Sequence, residues 1–140
     1  LLECSNACPG FRFRWRSHPL LDLMELDFFK KKSLPSNITI SSYSFDDDLI
    51  ASDVAIYRGT TAIIRASMGG LVPIYLKNEE EIEIDIMFGL KIDRISSISD
   101  IRFVIDNSFI DRGDIVKFCQ NYFQPMNYKS IMDVIDKNGF

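Results

Sequence analysis

One short stretch, residues 53–76, restricts the fold more than any other part of this sequence. A near-continuous apolar run at 53–58 (DVAIYR) predicts a buried strand, and Gly59-Thr60-Thr61 then turns the chain. Residues 61–70 (TAIIRASMGG) have helical spacing and end on two glycines, and residues 71–76 (LVPIYL) predict another apolar strand. A strand, a short helix and a strand make one βαβ unit, which implies parallel strands with a right-handed crossover.

The sequence on either side of this unit continues the alternation of strands and helices. In FRFRWRSHP (11–19) aromatic and basic residues alternate, so Phe11, Phe13 and Trp15 are expected on one side of a strand and the arginines on the other. Short strands are also predicted at 38–41 and 91–97, helices at 20–32, 46–51, 99–107, 111–123 and 128–139, and a loop at 78–89. About five strands interleaved with helices predict an α/β fold with a doubly wound parallel sheet sandwich.

Length and charge limit the classes of protein to consider. The 140 residues are expected to form a single domain, and a net charge of −4 gives no basic field for a nucleic-acid backbone. No apolar run is long enough to span a bilayer, and the first residues lack the order of a signal peptide. We therefore expect a cytoplasmic protein, in solution or at a membrane surface. Because the sequence does not begin with Met, we expect a piece of a longer protein.

Neither a metal nor a cofactor is expected. Cys4 and Cys8 have loosely metal-like spacing, but with Cys119 they make an odd number of cysteines without a second pair, so free thiols are favoured over a zinc site. The acidic run Asp46–Asp48 is interpreted as the start of a helix, where carboxylates suit the positive end of the helix dipole, rather than as a metal site.

In doubly wound sheets ligands bind outside the carboxyl ends of the strands, so the loops at those ends are the candidate site. The loop after the 53–58 strand holds Arg58, Gly59, Thr60 and Thr61 at the start of the next helix. A phosphate could bind here to the unpaired backbone N–H groups of the first helical turn and to the two threonine hydroxyls. The guanidinium of Arg58 could add a bidentate, charged contact. A structural role, in which Thr60 caps the helix and Gly59 makes the turn, is weighed equally with the functional one.

Two other loops and one helical residue complete the candidate site. Arg16 and His18 follow the first strand, and a phosphate contact is favoured for His18 over a structural role. Residues 41–44 form the loop after the second strand. Arg65 lies four residues after Thr61 and so on nearly the same helix face, where it either contacts the ligand or pairs with an acidic neighbour.

Residues 52–76 (SDVAIYRGTTAIIRASMGGLVPIYL) resemble the donor-binding segment of GT-B glycosyltransferases and the related sugar-nucleotide 2-epimerases. The features that carry the resemblance are an aspartate-led apolar strand, the Gly-Thr-Thr turn, a helix ending in small residues and glycines, and a short strand containing Pro73. The run RSHP (16–19) is similar to an upstream element whose histidine contacts the donor phosphate in several such enzymes. The resemblance implies a Rossmann-like domain, the C-terminal, donor-binding half of a GT-B architecture, with the N-terminal acceptor domain absent from residues 1–140.

The resemblance implies a metal-independent glycosyltransferase that binds a UDP-, GDP- or CMP-type nucleotide-sugar and transfers the sugar to a surface glycan or a lipid acceptor. A sugar-nucleotide epimerase, a transferase that uses a CMP-sugar, and an inactive or partner-binding half-domain remain alternatives. The sequence departs from the pattern at Arg65, where many relatives carry a glutamate that binds the donor ribose. A catalytic base is not assigned, because in this group it often belongs to the other domain.

Overall fold

A computed structural model describes residues 2–17, 33–78, 80, 82–97, 100–107 and 112–122. Within these ranges the chain alternates short strands and helices, as the sequence predicts. The helices are α1 (Leu2–Ala7), α2 (Phe45–Ile50), α3 (Ala62–Met68), α4 (Asp100–Asn107) and α5 (Arg112–Tyr122). The strands are β1 (Phe13–Trp15), β2 (Ile38–Ile40), β3 (Val54–Tyr57), β4 (Val72–Leu76) and β5 (Asp93–Ile95).

The described strands form two parallel sheets. Strands β1 and β2 pair with Phe13 opposite Ile38. Strands β3, β4 and β5 form the second sheet in that order, with Val54 opposite Val72 and Ile74 opposite Asp93. The predicted α/β class and parallel strand pairing are therefore confirmed. The sequence analysis expected a single sheet, whereas the backbone hydrogen bonds divide the five described strands between two.

The βαβ unit of β3, α3 and β4 is confirmed, and its ends follow from glycine. Gly59 turns the chain out of β3 with φ +60°. This left-handed conformation is accessible to glycine without steric cost, because glycine has no Cβ. Gly70, at φ +97°, ends α3: its N–H donates to Ser67 O at 3.0 Å, and the Leu71 N–H donates to Ala66 O at 3.1 Å. These two bonds make a Schellman motif, so the Gly69-Gly70 pair stops the helix.

Apolar side chains pack on both faces of the β3–β4–β5 sheet. Tyr75 of β4 lies on one face with α3 and α5, and its neighbour Ile74 lies on the other with α4 and α1, because successive strand side chains point to opposite faces. Ile74 and Tyr75 are 0% and 1% exposed. The first face also buries Tyr57, Ile63, Ile64, Met87, Ile115 and Cys119, and the second also buries Phe13, Ile38, Ile95, Ile101, Cys4 and Cys8.

Most predicted elements are confirmed where the structure describes them. In β1 the aromatic side chains Phe11, Phe13 and Trp15 pack into the second core cluster while the arginines of this segment stay exposed. The short helix after the acidic run, the strand in 91–97 and the helices in 99–107 and 111–123 also form. The predicted helices at 20–32 and 128–139 lie outside the described residues. Helix α1 was not predicted from the sequence.

The loop between β4 and β5 is held by a buried carboxylate. The side chain of Asp85 is 1% exposed and accepts from Arg94 Nε at 2.9 Å, from the Met87 N–H at 2.9 Å and from the Tyr57 hydroxyl. Arg94 also donates to the carbonyl oxygens of Leu90, Ile92 and Met87 at 3.1–3.2 Å. This network joins β3, β5 and the loop. Burial and the neighbouring carboxylate raise the pKa of Tyr57, which stays a neutral donor.

Replacing Asp85 with alanine is therefore expected to destabilise the protein by about 3 kcal/mol, because it leaves the guanidinium of Arg94 and the hydroxyl of Tyr57 without their shared acceptor. Chemical denaturation measures the change in the free energy of unfolding. The matched control is Asp106→Ala. The side chain of Asp106 is 58% exposed, and its ion pair with Arg102 is long, at 3.8 Å. Equal effects of the two substitutions would contradict a structural role for the buried network.

Candidate functional site

The loops that follow β1 and β2 meet at a buried carboxylate. Asp48 of α2 is 7% exposed and accepts from Arg16 Nη1 at 2.7 Å, from the Ser41 hydroxyl at 2.6 Å and from Arg14 Nη1 at 3.3 Å. Arg16 Nη1 also donates to Tyr43 O at 3.0 Å. The predicted first and second loops of the candidate site are therefore in contact at the carboxyl ends of their strands.

The protonation state of Asp48 is set by these partners. Burial favours the neutral acid and acts to raise its pKa, but hydrogen bonds from Ser41, Arg16 and Arg14 outweigh burial, so the pKa of Asp48 lies below its ordinary value. The carboxylate is consequently charged at neutral pH and fixes Arg14 and Arg16 of the β1 segment.

The helix that follows the third loop, α3, contacts α2 through Arg65. Arg65 Nη2 donates to both carboxylate oxygens of Asp46, at 2.6 and 2.8 Å, and both side chains are more than half exposed. Of the two roles expected for Arg65, the pairing with an acidic neighbour is present. This pair links α3 to the first turn of α2.

The ring of Phe45 contacts arginines from two of these segments. Its ring centroid is 5.3 Å from the guanidinium carbon of Arg16 and 5.4 Å from that of Arg65, within the range of cation–π attraction. The ring is partly buried and packs against the core face that contains α3. A capping box at the start of α2 fixes the backbone here, because Ser44 and Asp47 satisfy each other's amide groups.

The turn between β3 and α3 is open to solvent. Gly59, Thr60 and Thr61 are exposed, and Arg58 is half-buried. The Thr60 hydroxyl accepts from the Ala62 N–H at 3.3 Å, while Thr61 occupies the N-cap position without a side-chain hydrogen bond. The expected structural roles of Gly59 and Thr60 are therefore present in part. The Thr60 hydroxyl proton and the Thr61 hydroxyl face no fixed acceptor among the described residues, so both can serve a ligand.

An exposed apolar side chain, that of Ile84, borders this turn. Ile82, Ile84 and Phe88, in the loop after β4, are 85%, 58% and 78% exposed. A Cβ placed on Gly59 would lie 3.8 Å from the Cβ of Ile84, so the two loops are adjacent. The buried Asp85 network fixes the chain next to Ile84, and the site therefore has one apolar wall.

The structure brings together Arg16 and Arg65, two of the residues predicted from the sequence. Arg16 and Arg65 share the ring of Phe45, and Gly59, Thr60 and Thr61 begin the helix that carries Arg65. His18 lies outside the described residues. The contacts of Phe45 and the burial of Asp48 are not evident from the sequence. The Ser44-x-x-Asp47 capping pattern and the arginine face of the β1 segment were the signals that could have located them.

The described residues give no sign of a metal cluster. No group of three or more His, Cys, Asp or Glu side chains that could hold an ion occurs in the part of the chain that the structure describes. Cys4 and Cys8 are buried in the core, and burial raises the pKa of the Cys4 thiol above its ordinary value. None of the helices in the described ranges has the length and apolar character to cross a bilayer.

Comparisons of the chain with protein-family models, with curated proteins and with solved structures found no match. The interpretation of the site therefore depends on the geometry of its own residues.

The lowered pKa of Asp48 predicts loss of stability in acid. The unfolded chain takes up a proton near the ordinary value of 3.8, while the folded protein keeps the carboxylate charged to lower pH. The stabilisation is fully present above about pH 4 and is lost as the pH falls through the folded pKa. Denaturation midpoints measured between pH 2 and pH 6 should fall less steeply in Asp48→Asn than in the wild type. An unchanged slope would show that the folded protein does not stabilise the charged form of Asp48. The exposed control is Asp106→Asn.

Proposed function

We propose that this chain is the donor-binding half of a GT-B-type glycosyltransferase and binds the nucleotide diphosphate or monophosphate of a sugar donor. One observation carries the proposal: the loops after the parallel strands β1 and β2 meet at their carboxyl ends, and Phe45 there contacts both Arg16 and Arg65 of the helix that follows β3. Ligands of α/β sheets bind at this edge. The helices on both faces of the β3–β4–β5 sheet support the finer assignment to a Rossmann-like, doubly wound domain.

In this proposal the phosphate lies against the turn that begins α3. Thr60 and Thr61 donate their hydroxyl protons to phosphate oxygens, and Arg58, Arg16 and His18 supply positive charge. Because α3 has only seven residues, side-chain donors and arginines contribute more to binding than the helix end itself. Fixed cations of this kind stabilise the charge that develops on a leaving phosphate.

Asp46 supports the proposal at the position where the sequence departs from the GT-B pattern. The resemblance expects a glutamate where this chain has Arg65, and a guanidinium cannot accept hydrogen bonds from ribose hydroxyls. The carboxylate of Asp46 lies 2.6 Å from Arg65 Nη2, so a carboxylate is still present on this face of α3. Its exposure, 64% of the side chain, leaves it open to a ligand.

The double substitution Thr60→Val with Thr61→Val tests the proposed phosphate site. Loss of two hydroxyl donors to a charged group is expected to weaken nucleoside diphosphate binding at least about tenfold, measured by isothermal titration. Thr39→Val is the matched control, because Thr39 is exposed on β2 and lies outside the unit of β3, α3 and β4. Unchanged affinity in the double variant would refute a phosphate site at this turn.

A ligand screen separates the proposed transferase from its alternatives. A bound ligand raises the melting temperature by mass action, so UDP, GDP, CMP and their sugar conjugates can be ranked by thermal shift. A preference for CMP over the diphosphates would favour a CMP-sugar transferase. Interconversion of a bound UDP-sugar without an acceptor would favour an epimerase, and no stabilisation by any nucleotide would favour a partner-binding half-domain.

A further inference from the structure

Three large apolar side chains project into solvent from the loop between β4 and β5. Ile82, Ile84 and Phe88 are 85%, 58% and 78% exposed, and all three fall within seven consecutive residues. Single exposed apolar side chains are normal on a soluble protein, whereas a local concentration of them is typical of a surface that another molecule covers. The loop is therefore a candidate interaction surface.

Hydrogen bonds and burial hold this loop in place. The Ile84 N–H donates to the Tyr75 hydroxyl at 3.2 Å, and the Phe88 N–H donates to Asp85 O at 3.1 Å, which closes a turn. The side chains of Asp85 and Met87, the residues next to Ile84 and Phe88, are 1% and 0% exposed. Because these two buried side chains anchor the chain, the exposure of their neighbours is set by the fold.

The same loop is strongly acidic. Residues 78–90 contain five acidic residues and no basic one. Asp85 is paired with Arg94 in the interior, whereas Glu80 and Glu83 are exposed and form no ion pair with another described residue. A partner that covers the apolar side chains must therefore bring positive charge to these glutamates, because a carboxylate that loses water without gaining a partner weakens binding.

This charge distinguishes between the possible occupants. A two-fold dimer brings one surface against itself, so a second copy of the chain would place the acidic residues opposite each other. An anionic membrane surface would be repelled in the same way. A protein segment that carries apolar side chains flanked by lysine or arginine matches both the apolar and the acidic residues.

We propose that Glu80, Ile82, Glu83, Ile84 and Phe88 form a docking surface for a basic, amphipathic segment of another protein. Burial of the three apolar side chains supplies most of the affinity, and the glutamates select for lysine and arginine and accelerate association. This inference goes beyond the proposed nucleotide site and does not depend on it.

Selection of binders from a library of displayed random peptides, with the full chain as bait, tests the docking surface. The enriched peptides should combine lysine or arginine with apolar residues. A synthetic peptide of the most enriched sequence should bind the double variant Ile82→Ser with Phe88→Ser at least about tenfold more weakly than the wild type, measured by fluorescence anisotropy. Ile84 is left unchanged, because it borders the turn of the proposed phosphate site. The matched control is Ile50→Ser with Phe103→Ser, since these side chains are 86% and 68% exposed on α2 and α4.

Charge reversal tests the same surface without changing its apolar side chains. Glu80→Lys with Glu83→Lys should weaken binding of the selected peptide about tenfold at low salt and less at high salt. It should strengthen binding of a second peptide in which every lysine and arginine is replaced by glutamate. The control Glu3→Lys with Asp106→Lys changes the net charge equally on α1 and α4, so it separates local pairing from the overall charge of the protein.

Several results would overturn the docking surface. These are a selection without binders, enriched peptides without positive charge, and peptides that bind the Ile82→Ser with Phe88→Ser variant as tightly as the wild type. Self-association that this variant abolishes, measured by analytical ultracentrifugation, would show that a second copy is the occupant. Binding to phosphatidylcholine or phosphatidylglycerol vesicles that the variant abolishes would show that the occupant is a membrane. All of these results leave nucleotide binding untouched, because its test uses the threonines of the α3 turn.

Discussion

Burial of strand β4 on both faces is the constraint on which the rest of the described structure depends. Ile74 and Tyr75 point to opposite sides and are almost completely buried, so each face of the sheet needs a cover of helices. Helices α3 and α5 cover one face, and α1 and α4 cover the other. Because β3 and β5 pair with β4 in parallel, their following loops lie at one edge. The turn after β3, which holds Thr60 and Thr61, therefore lies at a carboxyl edge that the central strand sets.

Two arginine–aspartate ion pairs lie at the candidate site. Arg16 follows β1 and Arg65 lies in α3, and each is held by an aspartate of α2: Arg16 by the buried Asp48, and Arg65 by Asp46 at the surface. The Arg16–Asp48 pair is the stronger structural constraint, because removal of Arg16 leaves the buried carboxylate of Asp48 with one charged partner fewer. The surface pair contributes little to stability and is correspondingly free to exchange its partner for a ligand.

The sequence predicted the elements whose patterns are local. The βαβ unit was evident because the apolar runs, the Gly59 turn and the Gly69-Gly70 stop all lie within one short segment. Division of the strands into two sheets was not predictable, since apolar spacing indicates a strand but not its hydrogen-bonding partner. Helix α1 is not evident from the sequence, because six residues are too few to show a periodic apolar stripe.

The candidate site shows the same division between local and non-local information. The positions of Arg16, Thr60 and Thr61 after strands followed from sequence order. The contacts of Phe45 with two arginines, 29 and 20 residues away in sequence, could not be derived from spacing. The same holds for Asp85, whose partner Tyr57 is 28 residues earlier in the chain.

The three consecutive aspartates of α2 have three different partners. Asp46 faces Arg65, Asp47 closes the capping box, and Asp48 enters the interior. Neighbouring residues on a helix are rotated by about 100° from each other, so each carboxylate points in its own direction. Insertion or deletion of one residue just before this run would turn every carboxylate toward a neighbour's partner. The segment should therefore tolerate changes of side chain more readily than changes of length, and related sequences should align across it without gaps.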